Sequence, residues 1–311
     1  MLLALCGLLT ACGDDEIRPG GGDAITNANA NTQVAWGVCE KSNANYTSIA
    51  QRLEIPKLKG GSNNLFVVHA LADGRINYCM EYDCGLLASR WTAYQWYGSF
   101  SSTDQTWNRY NWRNDSTFNG YGGDCDPFQP DPLIPTLYQT TLSDHASNGY
   151  DRGHMLGSAD RLNSKEANGQ TFYLSNMHPQ QGINFNQNGG IWYNLEVKIR
   201  NEYDKASFRD TLYVVKGGTI ADGQYSTKRR LVVPNYFYMA LLCKNPAKSG
   251  GGYKAIAFWM EHKANASTNY KAYAISIDEL ERKTGIDFFC NLPDDIEEKV
   301  ESSLSLSAWG L

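Results

Sequence analysis

With 311 residues, 42% of them hydrophobic and 20% charged, the chain can bury one large core or two smaller ones, and its balance is that of a globular protein. A formal net charge of −5 and a pI near 5.6 argue against a uniformly basic surface that coats nucleic acid, because phosphate contacts dominate that kind of affinity. The acid is segregated, however: Asp14, Asp15 and Glu16 lie near one end and Asp294, Asp295, Glu297, Glu298 and Glu301 near the other, which leaves room for a basic cleft between them.

The chain begins with a short apolar run, Leu2 to Leu9, too short to span a bilayer. The run ends in Leu9-Thr10-Ala11-Cys12, which resembles the lipobox of bacterial lipoproteins, although the positively charged start of a signal peptide is missing. That resemblance implies a lipid anchor on Cys12 and a place in the bacterial cell envelope, as an outer-membrane or surface lipoprotein or a secreted protein. Residues 1–12 then read as the signal and residues 13–33, mostly Gly, Asp, Asn, Ala and Thr, as a flexible tether. Residues 34–62 read as an N-terminal appendage and 63–311 as the main domain. Apart from Cys6 and Cys12 there are six cysteines: Cys39, Cys79, Cys84, Cys125, Cys243 and Cys290. An even number in an exported chain implies disulfides, with fifteen possible pairings.

From Asn64 the pattern is strand-like. Leu65 to His69 is a compact apolar run, and Ile76 to Tyr82 alternates with period two behind the turn signal Asp73-Gly74. Arg90 to Tyr97 reads as a third strand. Residues 98–149, rich in Asn, Asp, Gly and Pro, read as a long loop carrying Arg109 and Arg113. Further strands are expected at 212–215, 231–233, 236–242 and 255–260. Ser276 three residues before Glu279 opens a helix that stops at Gly285, and Asp294 begins a short acidic helix. The fold class is therefore α+β, a mostly antiparallel sheet with flanking helices.

The chemistry concentrates between Tyr150 and Arg200. Cutting a phosphodiester requires an attacking water, a base to take its proton, and cations to hold the phosphoryl and leaving oxygens. His154 suits the base, since a neutral imidazole titrates near working pH. Arg152 has the planar donor fork that grips phosphate. Asn186 or Asn188 offers a neutral oxygen to Mg²⁺, and Glu196 suits a role in holding metal-bound water. Locally, an extended segment at 150–155 can pair with 170–176, and a helix opening near Asn188 can carry Glu196 about two turns along. His178, His69, His145 and His262 have no comparable context, and Asp151 reads as an orienting residue.

Asp151-Arg152-Gly153-His154, then Asn176-Met177-His178-Pro179-Gln180, then Asn188-Gly189-Gly190-Ile191-Trp192-Tyr193-Asn194-Leu195-Glu196, resemble in order the motifs of the DNA/RNA non-specific endonuclease family. That family includes the Serratia-type secreted nucleases and mitochondrial endonuclease G, and shares the ββα-metal fold. Val233-Pro234, Ser276 to Glu279 and Asn291-Leu292-Pro293 resemble its C-terminal half. The resemblance implies a metal-dependent, sugar-non-specific endonuclease acting on DNA and RNA, with Mg²⁺ (Mn²⁺ as substitute) and 5′-phosphate products. By position it implies His154 as general base, Arg152 and Asn176 around the scissile phosphate and metal-bound water, and Glu196 fixing that water. It also implies an upstream arginine, Arg113 or Arg109, on the leaving side. Counting back from Glu196 makes Asn188 the metal ligand, and that count is preferred because a helix fixes its spacing while a loop absorbs extra residues; counting forward from Gln180 makes Asn186 the rival, with Asn184 a third choice. Cys243 and Cys290 resemble a C-terminal disulfide of secreted members. Two other readings stay open: a catalytically weak nucleic-acid-binding lipoprotein, and an envelope scaffold with a vestigial site. Nothing in the sequence specifies an oligomeric state.

Overall fold

The computed structural model describes residues 26–32, 46–101, 105–115, 126–187, 189–225, 230–245 and 252–311. In chain order its strands are β1 (Asn64–Ala70), β2 (Ile76–Asp83), β3 (Ala88–Trp96), β4 (Asp151–His154), β5 (Met177–Gln180), β6 (Thr211–Gly218), β7 (Gln224–Tyr225), β8 (Val232–Val233), β9 (Tyr236–Lys244), β10 (Tyr253–Glu261) and β11 (Ala274–Ile275). The helices are α1 (Tyr46–Ala50), α2 (Arg109–Asn114), α3 (Leu142–His145), α4 (Lys165–Gln170), α5 (Ile191–Lys198), α6 (Ile277–Thr284) and α7 (Asp294–Ser302), with short 3₁₀ turns between them.

Seven strands form one antiparallel sheet in the order β1-β2-β3-β6-β9-β10-β11. Period-two side chains sort cleanly onto its faces. Val67, Val214 and Leu241 enter one core with Trp192 and Leu195 of α5, while Val68, Val215 and Leu242 enter the other with Ile277 and Leu280 of α6 and Ile296 and Val300 of α7. Both faces are covered, which is why these strands read as near-continuous apolar runs. The capping signals act as expected: the Ser276 hydroxyl accepts from Glu279 N at 3.2 Å, and Gly285 ends α6 with φ +65°.

Four expectations need correction. Segment 98–149 is not a bare loop, since it contains α2 and α3; Asn108 caps α2 by accepting from Tyr110 N. The partner of β4 is Met177–Gln180, not 170–176, because Ser164 caps α4 across 165–170 and 174–176 winds into a 3₁₀ turn. Residues 26–32, the end of the expected tether, are docked: the Asn31 amide donates to the carbonyls of Ala50 and Pro56, and its backbone N–H donates to Asn291. Cys243 and Cys290 are not joined. Cys243 packs in the core beneath α5, whereas Cys290 sits beside Ile55 on the opposite face, so the sheet separates them. Cys39 and Cys125 lie outside the described residues, as do residues 1–25 with Cys12.

Candidate active site

Strand β4, backed by its partner β5, and helix α5 line part of an open cleft of about 1430 Å³. The hairpin depends on a glycine. A Cβ on Gly153 would fall 2.1 Å from Gln180 Oε1, and Gln180 is fully buried. The glycine of the Asp-Arg-Gly-His stretch is thus a packing requirement that lets His154 and Arg152 stand on a tightly paired strand. Helix α5 is held by Trp192 and Leu195, both 0% exposed, and Gly190 precedes it as N-cap. It opens at Ile191, three residues later than the sequence suggested.

His154 lines the cleft against an aromatic floor, with ring centroids 5.1 Å from Phe172 and 5.7 Å from Phe128. Burial, reinforced by Arg109, pushes its pKa down to about 3, against smaller opposing effects of Asp126, Asp160 and a hydrogen bond to the Arg152 backbone. That backbone bond occupies one ring nitrogen, and Nε2 has no hydrogen-bond partner. The imidazole is therefore neutral at working pH, with a buried Nε2 that no described residue engages. The Arg152 guanidinium lies over Phe128, 3.9 Å from the ring centroid.

The two arginines that competed for one role both reach the cleft. On successive turns of α2, Arg109 and Arg113 converge on the same carboxylate, Asp126; Arg109 Nε donates at 2.9 Å and Arg113 Nε at 3.2 Å. Although Asp126 is buried, which acts upward on its pKa, bonds from Arg109 and Arg113 hold it down at about 2. Arg200, from the π-helical turn after α5, also lines the cleft. Four arginines face three carboxylates there (Asp126, Asp151 and Glu196), so a chain of net negative charge carries a locally basic groove.

Glu196 projects from α5 and accepts from Lys216 Nζ at 2.8 Å. Lys216, 1% exposed in β6, is also 3.5 Å from Asp160, and Asp160 accepts from Arg200 at 2.8 Å and from the Tyr94 hydroxyl at 3.1 Å. Signs alternate along Glu196, Lys216, Asp160 and Arg200. Burial opposes the charge on Asp160, but Lys216 and Arg200 outweigh it and its pKa is lowered. The second oxygen of Glu196 accepts no bond from a described residue.

The loop between β5 and α5 is a compact turn. Asn186 N–H donates to the carbonyls of Gln181 and Gly182, Gln187 N–H donates to Gly182, and Phe185 is buried against Trp192 and Phe237. His262 fastens its start: one ring nitrogen bonds the Pro234 carbonyl and Nε2 accepts from Gln181 N at 2.6 Å. Asp151 fastens its tip, accepting from Asn186 Nδ2 at 3.2 Å and from Gln187. Asn186 Oδ1 accepts no bond from a described residue. A hard oxygen with its amide nitrogen already anchored on the Asp151 carboxylate is a donor that suits Mg²⁺. Asn188 lies outside the described residues, and Asn184, at φ +63°, is a turn residue absent from the cleft wall.

Asn176 does not join the site. It is fully buried, accepts from Leu156 N at 2.9 Å, and donates to the carbonyls of Leu156 and Thr171. Its amide ties the residues after His154 to the residues before β5. His178 is likewise interior and bonded to Ser89. The sequence reading missed Asp126, Asp160, Arg200, Lys216 and His262. Asp160 and Arg200 lie close enough to the central motifs to invite attention, but Asp126, Lys216 and His262 have no local signal.

A model of the DNA/RNA non-specific endonuclease family matches residues 68–295. A nuclease from Nostoc is 31% identical over 212 residues, covering 66% of this chain and 75% of that protein. Nuclease C1 from Cunninghamella echinulata is 32% identical over 186 residues, covering 57% of this chain and 71% of its own. Among solved structures, one from the crystal structure of the EndoG/EndoGI complex superimposes with a TM-score of 0.58 at 20% identity, covering 76% of this chain and 91% of that chain, which speaks for the fold.

Proposed function

The chain belongs to the DNA/RNA non-specific endonuclease family, and on that premise we propose a Mg²⁺-dependent hydrolysis of DNA and RNA phosphodiesters in the cleft, with His154 as general base and 5′-phosphate products. The observation that carries this reading is the unpartnered Nε2 of a neutral His154 in a groove lined by four arginines.

Arg152 and Arg200 draw the phosphate into the cleft and hold its charge. The arriving negative charge raises the basicity of His154, so proton uptake strengthens as substrate binds. Nε2 then takes the proton of the attacking water. Arg109 and Arg113, aligned by Asp126, stabilise charge as the leaving oxygen departs. Asn186, with Asn188 as its rival, holds the metal, and the open oxygen of Glu196 holds a water beside it. When bound, Mg²⁺ supplies Lewis-acid stabilisation of the phosphoryl and leaving oxygens. Lys216 does not touch the substrate in this scheme; it orients Glu196 through their hydrogen bond.

The test is cleavage of plasmid DNA and of RNA by the purified protein, with Mg²⁺ and with chelator, beside His154→Ala. Equal degradation by wild type and variant would exclude His154 as base. Comparing Asn186→Ala with Asn188→Ala identifies the ligand, since only the ligand variant demands more Mg²⁺ for half-maximal rate. Products that accept a 5′ label only after phosphatase treatment carry 5′-phosphates. The Cys12 lipid anchor and envelope location are part of the same reading. Incorporation of labelled fatty acid, lost in Cys12→Ala, tests them.

A further inference from the structure

We propose that Asp278, Glu281 and Glu301 form a divalent-cation site of the calcium type, which ties α6 to α7 on the face of the sheet away from the cleft. Asp278 and Glu281 are three residues apart on α6 and so share one of its faces, while Glu301 stands in the last turn of α7. Ile277 and Leu280, packed in one core with Ile296 and Val300, hold the two helices together. One carboxylate oxygen from each of the three residues lies within 4.8 Å of the others. Oxygens gathered that closely can share one ion, and Ca²⁺, which takes oxygen ligands at about 2.3–2.6 Å in flexible geometry, suits a set drawn from two helices.

Glu301 points to a ligand independently of the clustering. It is 7% exposed, and its Oε1 is buried without a hydrogen-bond partner. A buried carboxylate oxygen without a protein donor is expensive unless a proton or a cation meets it. Burial first, then Glu281, Glu297, Asp287 and Asp278, push the Glu301 carboxyl up to about 10, and all four neighbours are acidic. The nearby cations are occupied elsewhere: Lys57 donates to the carbonyls of Asn29 and Ala30, and Lys283 pairs with Glu279 at 3.5 Å. Glu281 is already set in place, because its Oε1 accepts from Phe288 N at 2.7 Å. A held carboxylate and a second one on the same helix face, with an unsatisfied oxygen on the next helix, are suited to a hard, oxygen-seeking ion with flexible coordination.

The test uses the full chain, stripped with chelator, titrated with CaCl₂ by calorimetry and followed by thermal unfolding. Wild type is expected to bind one Ca²⁺ at this site and to gain roughly 5–10 °C in Tm at a hundredfold excess over Kd. Glu301→Gln and Asp278→Asn lose that gain, while Asn186→Ala keeps it and Glu301→Gln retains Mg²⁺-dependent cleavage. In chelator, Glu301→Gln melts no lower than wild type, since a neutral amide takes the place of a carboxyl that holds its proton there. A Ca²⁺-induced shift that survives in both carboxylate variants, or that vanishes in Asn186→Ala, overturns the proposal, as does wild type that shows no Ca²⁺ response.

Discussion

The two faces of the sheet each carry buried carboxylates, and they treat them in opposite ways. Beneath the cleft, Glu196 and Asp160 alternate with Lys216 and Arg200, and the charged form of Asp160 is favoured despite complete burial. On the far face, Asp278, Glu281, Asp287, Glu297 and Glu301 crowd together with little opposite charge, and burial with like charges pushes Glu281, Glu297 and Glu301 upward. The same residue type is thus ready for charge-dependent work on one side and in need of a proton or a cation on the other. Neighbours, not burial alone, decide which.

The largest effect expected within this contrast is at His154. His154→Ala should lower kcat by about 10²–10⁴-fold, the usual contribution of a positioned general base, with little change in Tm. Glu301→Gln should leave cleavage in Mg²⁺ unaltered, and a comparable loss there would erase the division between the faces. Lys216→Met is expected to act on both stability and rate, because it strips a shared cation from two carboxylates. Denaturant unfolding should report a loss on the order of 3–5 kcal/mol, and cleavage a drop of roughly 10–100-fold. If only stability falls, Lys216 does not orient Glu196 for catalysis. Gly153→Ala should cost about 1–3 kcal/mol by overpacking against Gln180, and Gln180→Ala in the same chain should recover part of it.

The smallest effect concerns Asp126. Its pKa is held at about 2 in the folded protein, below the ordinary 3.8, so its pairing with Arg109 and Arg113 adds stability that is fully present above the ordinary value and is lost as pH falls toward 2. The Tm difference between wild type and Asp126→Asn should therefore be constant above about pH 5 and shrink between pH 4 and pH 2. A difference that stays constant down to pH 2 would mean that the carboxylate's charge does not matter.

Much of this molecule was legible before any fold was known. Strands β1 to β3 announce themselves through apolar runs and turn residues, α6 through Ser276 and Gly285, and the cleft residues His154, Arg152 and Glu196 through short motifs whose spacing is local. Local spacing also explains the errors. Asn176 carries the motif but directs its amide at Leu156 and Thr171, because only the packed hairpin decides which way a side chain faces. Segment 170–176, expected to pair with 150–155, instead follows a short helix at 165–170 whose only local signal is the cap at Ser164.

What the sequence by itself determined is the chemistry available and the pattern that builds the two-sided sheet: period-two alternation, caps and turns act over a few residues and need no distant partner. What only the tertiary structure decided is which charges meet. Lys216 on β6 reaches Glu196 on α5, Asp126 gathers both arginines of α2, and Glu301 on α7 closes on Asp278 and Glu281 of α6. Electrostatic coupling depends on distance through space and on the dielectric around the pair, and neither is written in the separation of residues along a chain.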